Sequence, residues 1–161
     1  MGCTAWARRS VAVQSEYSLW SRNAEIAVLE ACREIGAAYV AFSPVARGFL
    51  TGTLRDVAGL DAKDIRRAMP RFAPATYAAN LVLLDRYEVI ARQAGCSPAQ
   101  LALAWLLARG EHIVPIPGTT RIDHLAKNNT AAQVVLTADV MAQLDALFQP
   151  AAIHGPRYNS A

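Results

Sequence analysis

Two periods of apolar spacing alternate along the chain. Short runs rich in β-branched and aromatic residues, at 11–14, 38–42 and 113–116, read as strands, and the stretches between them carry apolar residues at helical spacing. Strand, helix, strand, helix is the order of an α/β fold with parallel strands. After the first run, Asn23 stands where it would cap a helix with Glu25 in its first turn. Ile26, Leu29, Cys32 and Ile35 then recur at helical spacing until Gly36. The second run passes into a Gly- and Pro-containing loop at 43–52. A polar stretch with Asp61, Lys63, Asp64, Arg66, Arg67 and Arg71 follows, and this is the segment expected to be most mobile.

Two further helices come next. The first places Leu83, Tyr87, Ile90 and Ala94 on one face and ends at Gly95; the second opens on Ser97, Pro98, Ala99 and Gln100, a capping box with proline at the first helical position. Leu101, Trp105 and Ala108 form its expected buried stripe. Thr120 and Asp123 again have capping-box spacing ahead of a fourth helix, and a last helix spans 137–148. Three parallel strands with helices between them leave two open edges and one uncovered face, whereas parallel sheets are normally covered on both faces. A neighbour for the first strand is missing from the pattern, so self-association or complementation by further strands is expected.

At 161 residues, 53% of them hydrophobic, the chain can bury a single core. A net charge of +3, scattered along the chain, argues against nucleic acid. Cys3, Cys32 and Cys96 are odd in number and lack CxxC spacing, which points to reduced thiols and a cytoplasmic setting. The longest apolar stretch, 101–108, falls short of the roughly 18 residues needed to cross a bilayer. Arg8 and Arg9 are not followed by an apolar run, so a signal peptide is not expected. His112 and His154 have no partners at spacings that suggest a metal site or a nucleophilic triad.

Three segments carry candidate chemistry. At 115–121 a strand end turns through Gly118 into a helix start, where free N–H groups, the helix dipole and Arg121 favour a phosphate. An ordinary capped turn with a solvated arginine fits the same residues. At 42–52, Phe42 ends a strand where it is placed either to stack on a flat heterocycle or to pack in the core, and the glycines admit close approach of a pyrophosphate. At the end of the first strand, Gln14 has an amide that pairs either with a ligand amide or with nearby backbone.

The strings VQSEYSLWSRNAE, FSPVARGFLTG, DIRRAMPRF, SPAQLALAWLLAR and IPGTTRIDHLAKN, in this order, resemble the aldo-keto reductases, in particular the bacterial branch similar to pyridoxal reductases and potassium-channel β-subunits. The resemblance runs from about residue 11 to 158, and residues 1–161 read as one C-terminal portion of that fold. It implies a partial TIM (β/α)₈ barrel, comprising the last three βα units and an extra C-terminal helix. It also implies NADP(H) as cofactor and an aldehyde or ketone as substrate. By resemblance, Gln14 holds the nicotinamide carboxamide and Phe42 stacks on its ring. Ser43, Pro44, Val45, Arg47, Gly48 and Leu50 cover the pyrophosphate. Gly118, Thr119, Thr120 and Arg121 bind the 2′-phosphate, and His124 and Asn128 meet the adenine end. Lys127 departs from the family's usual Glu. The family's catalytic Asp, Tyr, Lys and His come from its first four strands, so no catalytic residue is assigned here, and Tyr17 is expected to pack or line a pocket. Arg66, Arg67 and Arg71 fall in the family's mobile loop, as a solvated stretch or a closing one. The start, 1–9, does not continue the family's fifth strand and points to truncation or an altered start. A non-catalytic nucleotide-binding or regulatory partner, or an inactive truncated product, is the rival expectation.

Overall fold

The computed structural model describes residues 11–158; Cys3, Arg8, Arg9 and the rest of the segment 1–9 lie outside the described residues. Strands β1 (Ala12–Glu16), β2 (Ala38–Phe42) and β3 (Ile113–Pro115) form one parallel sheet in that order. Its register places Gln14 beside Val40 and Val40 beside Val114, with Glu16 opposite Phe42. β2 has the predicted bounds. β1 runs on to Glu16, because the ladder continues through the Tyr17 N–H to the Phe42 carbonyl, 3.4 Å. Gln14 is therefore a mid-strand residue and not the strand's end. β3 stops at Pro115, although the Ile116 N–H still bonds the Ala41 carbonyl at 3.0 Å; the prolines on either side of Ile116 have no N–H to extend the ladder.

The helices are α1 (Val28–Ile35), α2 (Pro74–Gln93), α3 (Pro98–Leu107), α4 (Ile122–Thr130) and α5 (Ala138–Leu147). The helix expected from Asn23 is instead a 3₁₀ turn, Asn23–Ile26, followed by α1, and Asn23 caps neither piece. Glu25 is drawn away to two arginines, and Ile26, read at helical spacing with Leu29, Cys32 and Ile35, is exposed. At α3 the Ser97–Gln100 capping box forms as predicted: Ser97 Oγ accepts the Gln100 N–H, and Gln100 Oε1 accepts the Ser97 N–H at 3.0 Å. The helix carries no single stripe, however. Residues 101–106 are all buried and Ala108 is exposed, because α3 touches β3, α2, α4 and the 46–51 turn at once. The α5 start is capped by Thr137, whose Oγ1 accepts the Val140 N–H at 3.2 Å.

One face of the sheet packs the core through Tyr39, Ala41 and Ile113, beneath Trp105 and Leu101 of α3. The other face, with Gln14, Val40 and Val114, is open among the described residues, and Val114 is 45% exposed. Above the sheet's C-terminal end an aromatic cluster seals the loops. Trp20 stacks on Phe49 at 4.0 Å and meets Phe72 edge-on, while Phe72 stacks on Tyr77. The polar stretch expected to be mobile is tied down here. It forms 3₁₀ turns at Ile65–Ala68 and Pro70–Phe72, and Asp64 accepts the Arg66 N–H at 2.9 Å. Arg66 reaches the Arg47 carbonyl, 3.0 Å, and Arg71 reaches the Trp20 and Gly155 carbonyls, so neither is a freely solvated side chain.

Candidate functional site

Both candidate loops leave the C-terminal ends of strands. In the first, Ser43, Ala46 and Arg47 have φ of 51°, 52° and 54°, a left-handed conformation that non-glycine residues adopt at a cost. The surrounding structure holds it there. The Ala46 N–H bonds the Ser43 carbonyl at 2.8 Å, Thr51 Oγ1 donates to the Gly48 carbonyl at 2.7 Å, and Arg66 grips the Arg47 carbonyl from outside. Gly48, at φ 96°, lets this close: a Cβ there would stand 3.3 Å from Arg66 Nη1. Pro44 and Leu50 are buried under the loop, whereas Ser43, Val45, Arg47 and Gly48 remain half-buried at its surface.

The second segment faces the first across a cavity of about 190 Å³. Val45, Thr51, Thr53 and Ser97 line one side, and Gly118, Thr119, His124, Lys127 and Asn128 line the other. Gln100 holds the two walls in place, with one end in the Ser97 capping box and its Nε2 donating to Thr130 Oγ1 at 2.8 Å. Thr51, Thr53 and Ser97 were not among the predicted site residues. Their signal was present as hydroxyls at a loop end and at a helix cap, but only the fold shows that they face one another.

The expected Thr120 cap does not form. Arg121 takes the N-cap position of α4 without a side-chain cap, and Thr119 Oγ1 accepts the Arg121 N–H at 3.1 Å. The N-cap residue of α4 thus offers its first N–H groups no side-chain acceptor. Arg121 is exposed and pairs with Asp123 through two hydrogen bonds of 3.0 Å, which hold the Asp123 carboxyl down at about 2. Thr120 and Arg121 border the cavity's mouth in sequence and are not among its lining residues.

Gln14 and Phe42 lie on the same, open face of the sheet, since Glu16 is Phe42's register partner and stands two residues beyond Gln14. Gln14 is exposed and Phe42 half-buried. The tyrosine hydroxyls are committed elsewhere. Tyr17 is wholly buried, donates to Glu25 at 2.8 Å and accepts from Arg109 at 3.3 Å; burial raises its pKa far above the ordinary range. Tyr39 donates to the Glu16 carbonyl, Tyr77 to the Leu54 carbonyl and Tyr87 to the Pro98 carbonyl, and burial pushes Tyr77 up to about 12. The lysines of the chain are Lys63 and Lys127. Among the described residues no tyrosine hydroxyl has a lysine as its partner, so Tyr17 is a packing residue. No group of three or more His, Cys, Asp or Glu side chains among the described residues is placed to hold a metal, and no described helix is long and apolar enough to cross a membrane.

The aldo/keto reductase family model matches residues 3–149. The aldo-keto reductase yakc [NADP(+)] of Schizosaccharomyces pombe is 39% identical over 150 residues, covering 91% of this chain and 44% of that protein. Among solved structures, the thermostable aldo-keto reductase Tm1743, in complex with the inhibitor epalrestat, is 29% identical with a TM-score of 0.58 over 85% of this chain and 39% of its own. The glycerol dehydrogenase AKR11B4 from Gluconobacter oxydans, at 21% identity, superposes with a TM-score of 0.80 over 93% of this chain and 45% of its own, a likeness of fold. This chain therefore spans less than half the length of the relatives it matches. The three-stranded parallel sheet is consistent with part of a (β/α)₈ barrel, and the chain belongs to the aldo/keto reductase family.

Proposed function

We propose that this chain supplies the NADP(H)-binding half of an oxidoreductase site that works on an aldehyde or ketone. The observation that supports it most is the cavity between the strained 43–52 loop and the start of α4, with hydroxyl, amide, imidazole and ammonium groups around it. Those donors fit the phosphate-bearing end of a dinucleotide. The S. pombe relative's NADP(+) label agrees with this cofactor class. When bound, the cofactor would supply the hydride. The chain's own part is to hold and orient it. Thr119, Thr120 and Arg121, with the uncapped N–H groups of α4, would take the 2′-phosphate. Gly118 would admit its close approach, and His124 and Asn128 would meet the adenine. Ser43, Val45, Arg47 and Gly48 would cover the pyrophosphate, with Pro44 and Leu50 supporting the loop from beneath. Gln14 and Phe42, on the open sheet face, would orient the nicotinamide.

Because Tyr17, Tyr39, Tyr77 and Tyr87 are buried with their hydroxyls committed, and no described tyrosine hydroxyl has a lysine partner, the proton donor is proposed to come from other barrel strands. The same strands would cover Val114 and Ile116 and pair with β1. A cytoplasmic setting is part of this proposal, and the free thiols of Cys32 and Cys96 agree with it. The test is a fluorescence titration of the purified chain with NADPH and NADH. Arg121→Ala should weaken NADPH by roughly tenfold to a hundredfold, the range for a charge-assisted hydrogen bond, and leave NADH nearly unchanged. Equal losses for the two cofactors, or no NADPH binding by the unaltered chain, would contradict the reading.

A further inference from the structure

A second concentration of charge lies at the end of β1, away from the 190 Å³ cavity. Glu16 is buried and its Oε2 is approached from several directions. Arg157 Nε donates to it at 3.0 Å, the Tyr158 hydroxyl donates at 3.2 Å, and Arg47 Nη2 stands 3.7 Å away. Ser21 donates to the other oxygen at 2.8 Å. The tail that brings Arg157 here is itself anchored, since Asn80 exchanges two 3.0 Å hydrogen bonds with the backbone of His154.

Arg71 enters the same cluster from the Pro70–Phe72 turn. It donates to the Trp20 carbonyl, to Ser21 Oγ at 3.2 Å and to the Gly155 carbonyl at 3.2 Å. All three acceptors are neutral. Among the described residues no carboxylate lies within ion-pair distance of Arg71, and its Nη2 makes no hydrogen bond. Burial, the largest influence, pulls the Arg71 guanidinium below its usual range; Glu16 opposes this and Arg157 adds to it. Arg47, Arg71 and Arg157 thus stand around one buried carboxylate, leaving an excess of positive charge in a half-buried setting.

Between these groups lies a cavity of about 20 Å³, lined by Glu16, Ser21, Arg47, Arg71 and Arg157 beside Trp20. That is about the room for one water molecule or for the oxygen end of a carboxylate. The Trp20 indole N–H, which is buried, has no acceptor. A small cavity and three guanidiniums around a single carboxylate therefore coincide at one place. Arg71 brings its charge there with only neutral acceptors, so the cavity is suited to a further negatively charged acceptor.

We propose that this cluster is an anion site that seats the carboxylate of an acidic carbonyl compound, with Arg71 as its principal donor and Arg157 and Arg47 beside it. The position gives the site its meaning. Glu16 is the register partner of Phe42 and stands two residues beyond Gln14, so an anion held here lies next to the proposed seat of the nicotinamide. A carbonyl a few bonds from that carboxylate would reach the hydride. This substrate class rests on the cofactor reading above; the anion site itself does not. Glu16 occupies the anchor for the arginines and repels an incoming anion, so it sets the affinity from the unfavourable side.

The test uses 4-carboxybenzaldehyde and benzaldehyde as probes, titrated calorimetrically against the full 161-residue chain with and without NADPH. The carboxylate should bind at least about tenfold more tightly than the neutral aldehyde, the scale of one charge-assisted hydrogen bond. Arg71→Gln should erase that preference and leave NADPH affinity unchanged. Glu16→Gln should strengthen carboxylate binding, a gain that damage to the fold would not produce. Equal binding of the two aldehydes, a preference that survives Arg71→Gln, or an NADPH loss in Arg71→Gln as large as the carboxylate loss would each overturn the site. If circular dichroism shows Arg71→Gln unfolded, Glu16→Gln decides: tighter carboxylate binding upholds the site, and unchanged or weaker binding overturns it. A carboxylate preference in a chain that binds no NADPH would remove the cofactor reading and leave the anion site standing. NADPH binding without the preference would do the reverse.

Discussion

Two arginine-bearing regions of this molecule use the same chemistry to opposite ends. Around Trp105, Arg22 and Arg109 lie over the indole at 5.3 and 4.8 Å and share the carboxylates of Glu25 and Asp145. Arg109 spends Nε on Tyr17, Nη1 on Asp145 and Nη2 on Glu25, and the Trp105 N–H also donates to Asp145. Every charge there has a partner, and three separate parts of the chain are joined: the turn after β1, the segment after α3, and α5. At the start of α4, by contrast, Arg121 has one carboxylate partner, Asp123, and both are exposed. An exposed ion pair contributes little to stability, so a phosphate can displace Asp123 from Arg121 at small cost. Charge that is enclosed and fully shared acts as scaffold, whereas charge held loosely at a helix start is available to a ligand.

That contrast is broken most severely from the scaffold side. Trp105→Ala should cost about 3–5 kcal/mol, since it removes a wholly buried ring and leaves both guanidiniums without their platform. Arg109→Ala, which removes one of the two guanidiniums that Glu25 and Asp145 share in a half-buried setting, should cost about 2 kcal/mol after allowance for partial exposure. Urea unfolding measures both. Losses below about 0.5 kcal/mol would mean that the network is decoration and that the aromatic core alone holds the three parts together.

A smaller effect separates two carboxylates whose pKa values both move down. Burial pushes the Glu25 carboxyl up, but hydrogen bonds from Arg22, Arg109 and Tyr17 outweigh it and hold the group below its ordinary value. A lowered folded-state pKa contributes stability above the unfolded value, and that stability is lost as the pH falls through the folded value. Stability should therefore decline below about pH 4.3, the ordinary glutamate value, and part of that decline should vanish in Glu25→Gln. Asp123, held low by Arg121 in open solvent, should leave the acid limb unchanged when replaced by Asn. An acid limb altered more by Asp123→Asn than by Glu25→Gln would invert the comparison.

What the chain's pattern disclosed, and what it concealed, divides along the same line. The bounds of β2 and the Ser97–Gln100 box rest on neighbours in sequence, and they are legible for that reason. The two expected caps that failed, Asn23 and Thr120, were overruled by partners at the surface and far along the chain. Glu25, assigned to a first turn, pairs with Arg109, and Glu16 meets Arg157 across almost the whole sequence. Spacing carries no record of such contacts. Nor did it reveal the left-handed Ser43, Ala46 and Arg47, because only tertiary contacts hold non-glycine residues there. The resemblance to a family named both loops. Their facing walls, and the hydroxyls of Thr51, Thr53 and Ser97 between them, required the fold.

The two loops at the sheet's C-terminal end are proposed to form one cofactor seat while the Trp105 network stays passive. Amide hydrogen exchange of the chain with and without saturating NADPH tests it most directly. Exchange should slow in both 43–53 and 117–128 on addition of NADPH, with the segments around Arg22, Trp105 and Asp145 unchanged. Protection confined to one loop, spread evenly over the chain, or centred on the Trp105 network would contradict it.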